Sequence, residues 1–255
     1  MKEIFEALRE RFDAQVDRFR EGGALKELHD LKYRHCFRVS REAEGIASDL
    51  GWEADRVACA RGLGLLHDLG RFEQYARHGT FNDRVSVDHG DLGETLVREH
   101  FVDLLPQTWL RVIPPAIRWH NKRRLPADLD PELLPFARLI RDADKVDVYR
   151  VIREHLEAGR IRQLIPRLTD LEGPPSEALV GVLLEEHTAD YGMVRNLADL
   201  LLVQACWVYD MHFPPALRRL LDRRLLEGLR AWICPTPAVD RIFAEAADWA
   251  QKACA

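Results

Sequence analysis

Thiolate chemistry has little to draw on in this 255-residue chain. Its five cysteines, Cys36, Cys59, Cys206, Cys234 and Cys254, are odd in number, widely spaced and never paired as Cys-x-x-Cys. That pattern excludes a disulfide framework and a thiolate zinc site, and it fits a reducing cytoplasm. One-signed charge is missing as well: 37 Lys and Arg against 42 Asp and Glu leave a formal net charge of -5, so neither extended nucleic acid nor an anionic membrane is an expected partner. No apolar run approaches the ~18 residues of a membrane span; the longest, around Leu200 to Val203, is far shorter. A Gly-rich phosphate loop, a Ser-His-Asp order and a nucleophilic-cysteine context are all lacking, which removes three common routes to catalysis.

The rest of the composition is that of a soluble globular protein, 47% hydrophobic and 31% charged. At this length roughly three quarters of the unfolded surface can be buried, so the core needs no metal staple and any metal is expected to serve function. The opening stretch MKEIFEALRERFDAQVDRF places Ile4, Phe5, Leu8, Phe12, Val16 and Phe19 at helical steps among charges, unlike the unbroken apolar centre of a signal peptide. A soluble, unexported protein is the expectation. The same 3.6-residue rhythm runs through nearly every segment without strand-like alternation, and it predicts an all-α fold.

The stop signals divide that rhythm into elements. One helix is expected from about Leu25 to Leu50, closed by Gly51, and a second from about Asp55 to Leu69, closed by Gly70. A polar loop, RFEQYARHGTFNDRVS, then leads to a helix capped within Ser86 to Asp88 that carries Leu92, Leu96 and Val97. Pro114 and Pro115 open a short helix, and the Pro131 to Pro135 region opens a longer one through Leu139, Ile140, Val148 and Val151. Residues 160–178 read as a connector, and two or three more helices follow, with Leu197, Leu200, Leu201, Ala205 and Val208 as a core stripe. The expected division is an N-terminal helix over 1–24, a central helical core over 25–158, and a C-terminal helical extension over 159–255 packed on that core.

Six polar residues sit where apolar ones belong. His35 shares a stripe with Val39, Ala43, Ile46 and Leu50; His67 and Asp68 end the run GLGLLHDLG; His89 shares a face with Leu92 and Leu96; His120 follows Ala116 and Ile117; Asp144 stands between Ile140 and Val148. A carboxylate buried on such a stripe costs several kcal/mol or more unless it is paired, and a divalent cation offsets that cost directly. Imidazoles and carboxylates without thiolates suit Fe, Mn, Zn, Ni or Co better than Mg.

The order His35, His67-Asp68, Asp144, with LLHDLGR around the doublet and LIRDADKVD around the last Asp, resembles the HD superfamily of metal-dependent phosphohydrolases over about residues 30 to 150. VDHGDLGE with His89 and IRWHN with His120 look like the two extra histidines of its six-ligand, two-metal subgroup. The resemblance implies an HD-like helical bundle with an added C-terminal helical segment and a pair of divalent transition-metal ions. Asp68 would bridge them, with His35, His67 and Asp144 on one side and His89 and His120 on the other. The implied reaction is hydrolysis of a phosphate ester of a small nucleotide or related metabolite through a metal-bound water. Asp68 would orient that water. Arg71, where related enzymes often carry Lys, and Lys145 would stabilise charge on the phosphoryl oxygens, with Lys122 as a further substrate contact.

Two departures restrict the substrate. The single-metal nucleotidase branch places a Glu where Arg71 stands, and the Gly-Tyr-Pro signature of the cyclic-dinucleotide branch does not occur. Neither a nucleoside monophosphate nor a cyclic dinucleotide can be named. Two other readings stay open: a di-iron oxygenase that cleaves a C-C or C-P bond with the same ligands, and a metal-stabilised ligand sensor without catalysis. His29, His78, His100, His155, His187 and His212 read as structural or surface residues, the Trp207 and Tyr209 pair as core, and Arg123 and Arg124 as a solvated face.

Overall fold

Phe5, Leu8, Phe12 and Val16 recur at helical steps and are all buried on α1 (Lys2–Asp17), so the first amphipathic stripe does face a core. The structure is a computed structural model that describes residues 2–254 apart from 167 and 169; those two positions of the expected connector lie outside the described residues. The fold is all-α, with no named strand among the described residues and only two isolated bridges, Glu21 with Ala24 and Asp170 with Asn196. Among the described residues no helix is long and apolar enough to cross a membrane. The chain divides into two compact units, residues 1–144 and 145–255.

In the first unit α2 (Glu27–Asp49) ends as its glycine signal requires: Gly51 adopts φ 70° and its N–H bonds to the Ser48 carbonyl at 3.0 Å. Helix α3 (Ala54–Leu66) lies close against α2 because of Gly64. A Cβ there would stand 2.7 Å from Ser40 Cα and 2.8 Å from the Val39 carbonyl oxygen, both backbone atoms. Ser40 Oγ adds a bond to the Arg61 carbonyl at 2.8 Å. Gly64→Ala is therefore expected to force the two helices apart at a cost of about 1–3 kcal/mol. A urea midpoint unchanged from wild type would show that α2 and α3 can separate freely.

The expected second helix, ending at Gly70 before a polar loop, needs correction. Helix α3 stops at Leu66, and a new helix, α4 (Leu69–His78), starts after Asp68 and covers the first half of the supposed loop. Gly70 is an interior residue of α4, and the left-handed residue that ends it is Gly79, φ 64°. What Gly70 provides is approach: a Cβ there would lie 2.3 Å from the His89 carbonyl oxygen and 2.8 Å from Gly93 N. The inward face of α4 holds Leu69, Gly70, Phe72 and the polar Gln74, so its pattern looked hydrophilic.

A 3-10 turn (Asp83–Val85) leads into α5 (His89–His100), where the Asp88 carboxylate accepts from Gly90 N at 3.0 Å and Asp91 N at 3.1 Å, the expected cap. After the short α6 (Gln107–Leu110), α7 (Ile113–His120) carries its two prolines in the first turn. Helix α8 (Leu134–Glu157) begins in this unit, where Phe136 meets Trp52 edge to face at 4.9 Å between ring centroids.

In the second unit α9 (Ile161–Leu164), α10 (Glu177–Glu186), α11 (Leu197–Ala205), α12 (Pro214–Asp222), α13 (Leu225–Arg230) and α14 (Pro237–Cys254) follow the remainder of α8. Among the described residues five helices follow residue 176 instead of two or three, because prolines at 214 and 237 and a left-handed Arg224, φ 51°, break the segment into short pieces. Every residue of α11 is buried, including Asp199. Its carboxylate accepts from Ser176 N at 2.7 Å, Ser176 Oγ at 2.6 Å and Arg195 N at 2.9 Å, so the charge is met by fixed donors. Trp207 packs edge-on against Tyr149, and Tyr209 lies between His187 and Trp249.

Candidate metal centre

Four helix boundaries and two helix interiors of the first unit converge. His67 and Asp68 occupy the break between α3 and α4, His89 opens α5, His120 closes α7, and His35 and Asp144 come from the interiors of α2 and α8. All six candidate ligands meet in one cluster, in which all but the partly exposed Asp144 are buried. His35 Nε2 lies 3.2 Å from His67 Nε2, and His89 Nε2 lies 3.0 Å from His120 Nε2. Asp68 turns one oxygen to each pair: Oδ2 is 3.5 Å from His35 Nε2 and from His67 Nε2, and Oδ1 is 3.5 Å from His89 Nε2 and 3.6 Å from His120 Nε2. Asp144 Oδ1 completes the first group, 3.1 Å from His35 Nε2 and 3.7 Å from His67 Nε2.

The proton positions follow from the partners of the far ring nitrogens. His67 Nδ1 is 2.8 Å from the Gly64 carbonyl and His120 Nδ1 is 2.6 Å from the Ile117 carbonyl, each three residues back at the end of its own helix. A carbonyl only accepts, so both Nδ1 atoms donate and, in the neutral ring, both Nε2 atoms present lone pairs. His89 Nδ1 donates likewise to Asp83 Oδ2 at 2.6 Å. Burial lowers the His67 pKa and, with Arg71 nearby, pushes that of His89 down to about 3, which keeps these rings neutral. With both rings neutral, the Nε2 lone pairs of His89 and His120 face each other at 3.0 Å, an arrangement that a bound metal cation would relieve.

The carboxylates agree. Burial opposes ionisation of Asp68, but Lys32, whose Nζ donates to Oδ2 at 2.5 Å, and the imidazoles outweigh it and hold the carboxyl well below its usual range. Burial acts the same way on Asp144, and the neighbouring His35 and His67 again prevail and lower its pKa. Asp144 Oδ1 is buried without a hydrogen-bond partner. Two groups, His35 with His67 and Asp144, and His67 with Asp68 and His120, bring ligand atoms close enough to hold an ion. The nearby Cys36 thiol is pushed well above its ordinary pKa, first by burial and then by Asp68, so the donors are nitrogen and oxygen.

The three cations singled out by sequence are all engaged. Arg71 Nη1 donates to Gln74 Oε1 at 2.9 Å, the Phe81 carbonyl at 2.5 Å and Asp83 Oδ1 at 3.0 Å, while its buried Nε, without a hydrogen-bond partner, stands 3.5 Å from Asp68 Oδ1. Lys122 Nζ binds Asp88 Oδ2 at 2.6 Å and Asp91 Oδ1 at 2.9 Å. Lys145 belongs to the second unit, where its Nζ meets Asp210 Oδ2 at 2.7 Å.

Four residues at the centre escaped sequence reading: Lys32, Asp83, Asn121 and Arg141. Lys32 precedes His35 by three residues and so shares its helical face, a signal that was available. Arg141, three residues before Asp144, is buried and its Nη1 bonds the His120 carbonyl at 3.2 Å and the Lys122 carbonyl, tying α8 to the end of α7. His29 and His155 are structural, bonded to the Phe72 and Val151 carbonyls.

No curated protein and no solved structure shows significant similarity to the chain. Residues 33–149, the stretch that carries all six converging side chains, match the HD domain family model, and this match supports assigning the segment to the HD superfamily, whose domains bind divalent metals and are mostly metal-dependent phosphohydrolases.

Proposed function

We propose that this protein is a cytoplasmic phosphohydrolase that uses two divalent transition-metal ions to cleave a phosphate ester of a small nucleotide or related metabolite. The observation that carries the reading is Asp68, which offers one oxygen to each of two histidine pairs. His35, His67, Asp144 and Asp68 Oδ2 would hold one ion, and His89, His120 and Asp68 Oδ1 the other. Bound there, the ions would activate a water for attack on phosphorus and neutralise negative charge on the phosphoryl oxygens.

The side chains around them orient and balance charge. The carbonyls of Gly64 and Ile117 fix the His67 and His120 rings. Arg71, braced through Nη1, leaves Nε directed at the Asp68 side of the centre, where a phosphoryl oxygen gaining charge would meet a guanidinium already in place. Lys122 serves less as a free charge than as a clamp on the start of α5, since two carboxylates share it. Lys145 enters the proposal through its sequence position after Asp144.

Metal analysis combined with turnover tests this reading. Purified protein saturated with Mn, Fe, Co, Ni or Zn is expected to bind two ions per chain and to release phosphate from small phosphoesters without oxygen uptake. Saturation at one ion would reduce the centre to His35, His67, Asp68 and Asp144. Oxygen uptake with retained iron and no phosphate release would identify an oxygenase, and ion binding without any turnover a sensor.

A further inference from the structure

Three of the imidazoles have a visible anchor behind the ring, and one anchor differs in kind. His67 and His120 stand at the C-terminal ends of helices, where carbonyls of the preceding turn are open and accept their Nδ1 protons. His89 is the first residue of α5, and the start of a helix offers N–H groups, not carbonyls. The acceptor must come from elsewhere. It is Asp83, six residues upstream in the turn before α5.

Asp83 is built into its place. Oδ2 accepts from His89 Nδ1 at 2.6 Å and Asn121 Nδ2 at 3.0 Å, and Oδ1 from Arg71 Nη1 at 3.0 Å and Gln74 Nε2 at 2.8 Å. The buried Gln74 amide is itself held by Ser86 Oγ and the Val87 carbonyl, both at 2.9 Å. One carboxylate thus gathers donors from α4, from the start of α5 and from the residue after α7. An anionic acceptor also makes a ring a stronger ligand than a carbonyl does, so within its pair His89 is a stronger donor than His120, whose Nδ1 faces a carbonyl.

We propose that Asp83 is the positioning residue of the His89 and His120 half of the centre, holding His89 in the tautomer that presents Nε2 and strengthening it as a ligand. The proposal rests on the two-ion reading. Cobalt titration of the full chain, followed by visible absorption and calorimetry, tests both. Wild type should take two Co2+ ions. Asp83→Asn should weaken one of them about 10- to 100-fold and leave the other unchanged. Introduced into His89→Ala, the same substitution should add nothing, because Asp83 acts through that ring. Equal weakening of both ions, no weakening, or the same loss in the His89→Ala background would overturn the role of Asp83 while the two-ion reading stands. A wild-type chain that takes one ion would overturn the two-ion reading and the inference together. Nitrogen NMR of histidine-labelled wild-type protein loaded with Zn2+ gives a readout that needs no variant: His89 should carry its proton on Nδ1, and a proton on Nε2 would overturn the proposal.

Discussion

Asp68→Asn is expected to abolish turnover while the helical fold persists. The exchange replaces one carboxylate oxygen with an NH2 donor and removes the charge, so the side chain can no longer offer an acceptor to both histidine pairs. Its structural cost is bounded. Asp68 makes no side-chain cap to α4, and the partner it disappoints is Lys32, whose ammonium would keep at most an amide oxygen. A penalty of about 1–3 kcal/mol follows for a charged hydrogen bond in a largely buried setting. Circular dichroism should show the native helix content with a lowered melting temperature. Phosphate release at saturating metal should fall to background, and undiminished release would contradict the bridging role.

Arg71→Ala should retain both ions yet lose about 100- to 1000-fold in turnover, the equivalent of about 2.7–4 kcal/mol of electrostatic stabilisation. Ion content is expected to survive because His89, Asn121 and Gln74 still hold Asp83 when the arginine is gone. Arg71→Lys should recover part of the rate: one ammonium supplies the charge, but it cannot satisfy Phe81, Gln74 and Asp83 and face Asp68 together as the guanidinium does. Paired metal analysis and steady-state kinetics on one phosphoester check this. Kinetics equal to wild type would leave Arg71 as a brace for Asp83 and nothing more.

The elements that were legible in the sequence are those whose signals are local. The Asp88 cap, the Pro114–Pro115 start and the Gly51 stop each act within a few residues, and α5, α7 and α2 begin or end where they say. Helix α4 was hidden because its buried face uses a glycine and a glutamine. Gly70 is needed for what approaches it from α5, and Gln74 for a hydrogen-bond network closed by residues up to thirteen positions away. Neither requirement leaves a hydrophobic period to read. Asp83 was equally hidden, a polar residue in a polar stretch.

By itself the sequence determined the helical class and the kinds of atoms available at the centre. Apolar periodicity sets which face of each helix turns inward, and a histidine or aspartate on that face must go in with it. Only the tertiary structure decided how those groups meet. Which oxygen of Asp68 faces which pair depends on the two-residue break between α3 and α4, on the close approach that Gly64 allows between α2 and α3, and on Arg141 tying α8 to α7. The proton on each ring depends on an acceptor that may be three residues away along a helix, as for His67, or on a separate turn, as for His89. A tautomer is set by distance in space, and distance in space between remote segments is settled by packing, which no local pattern encodes.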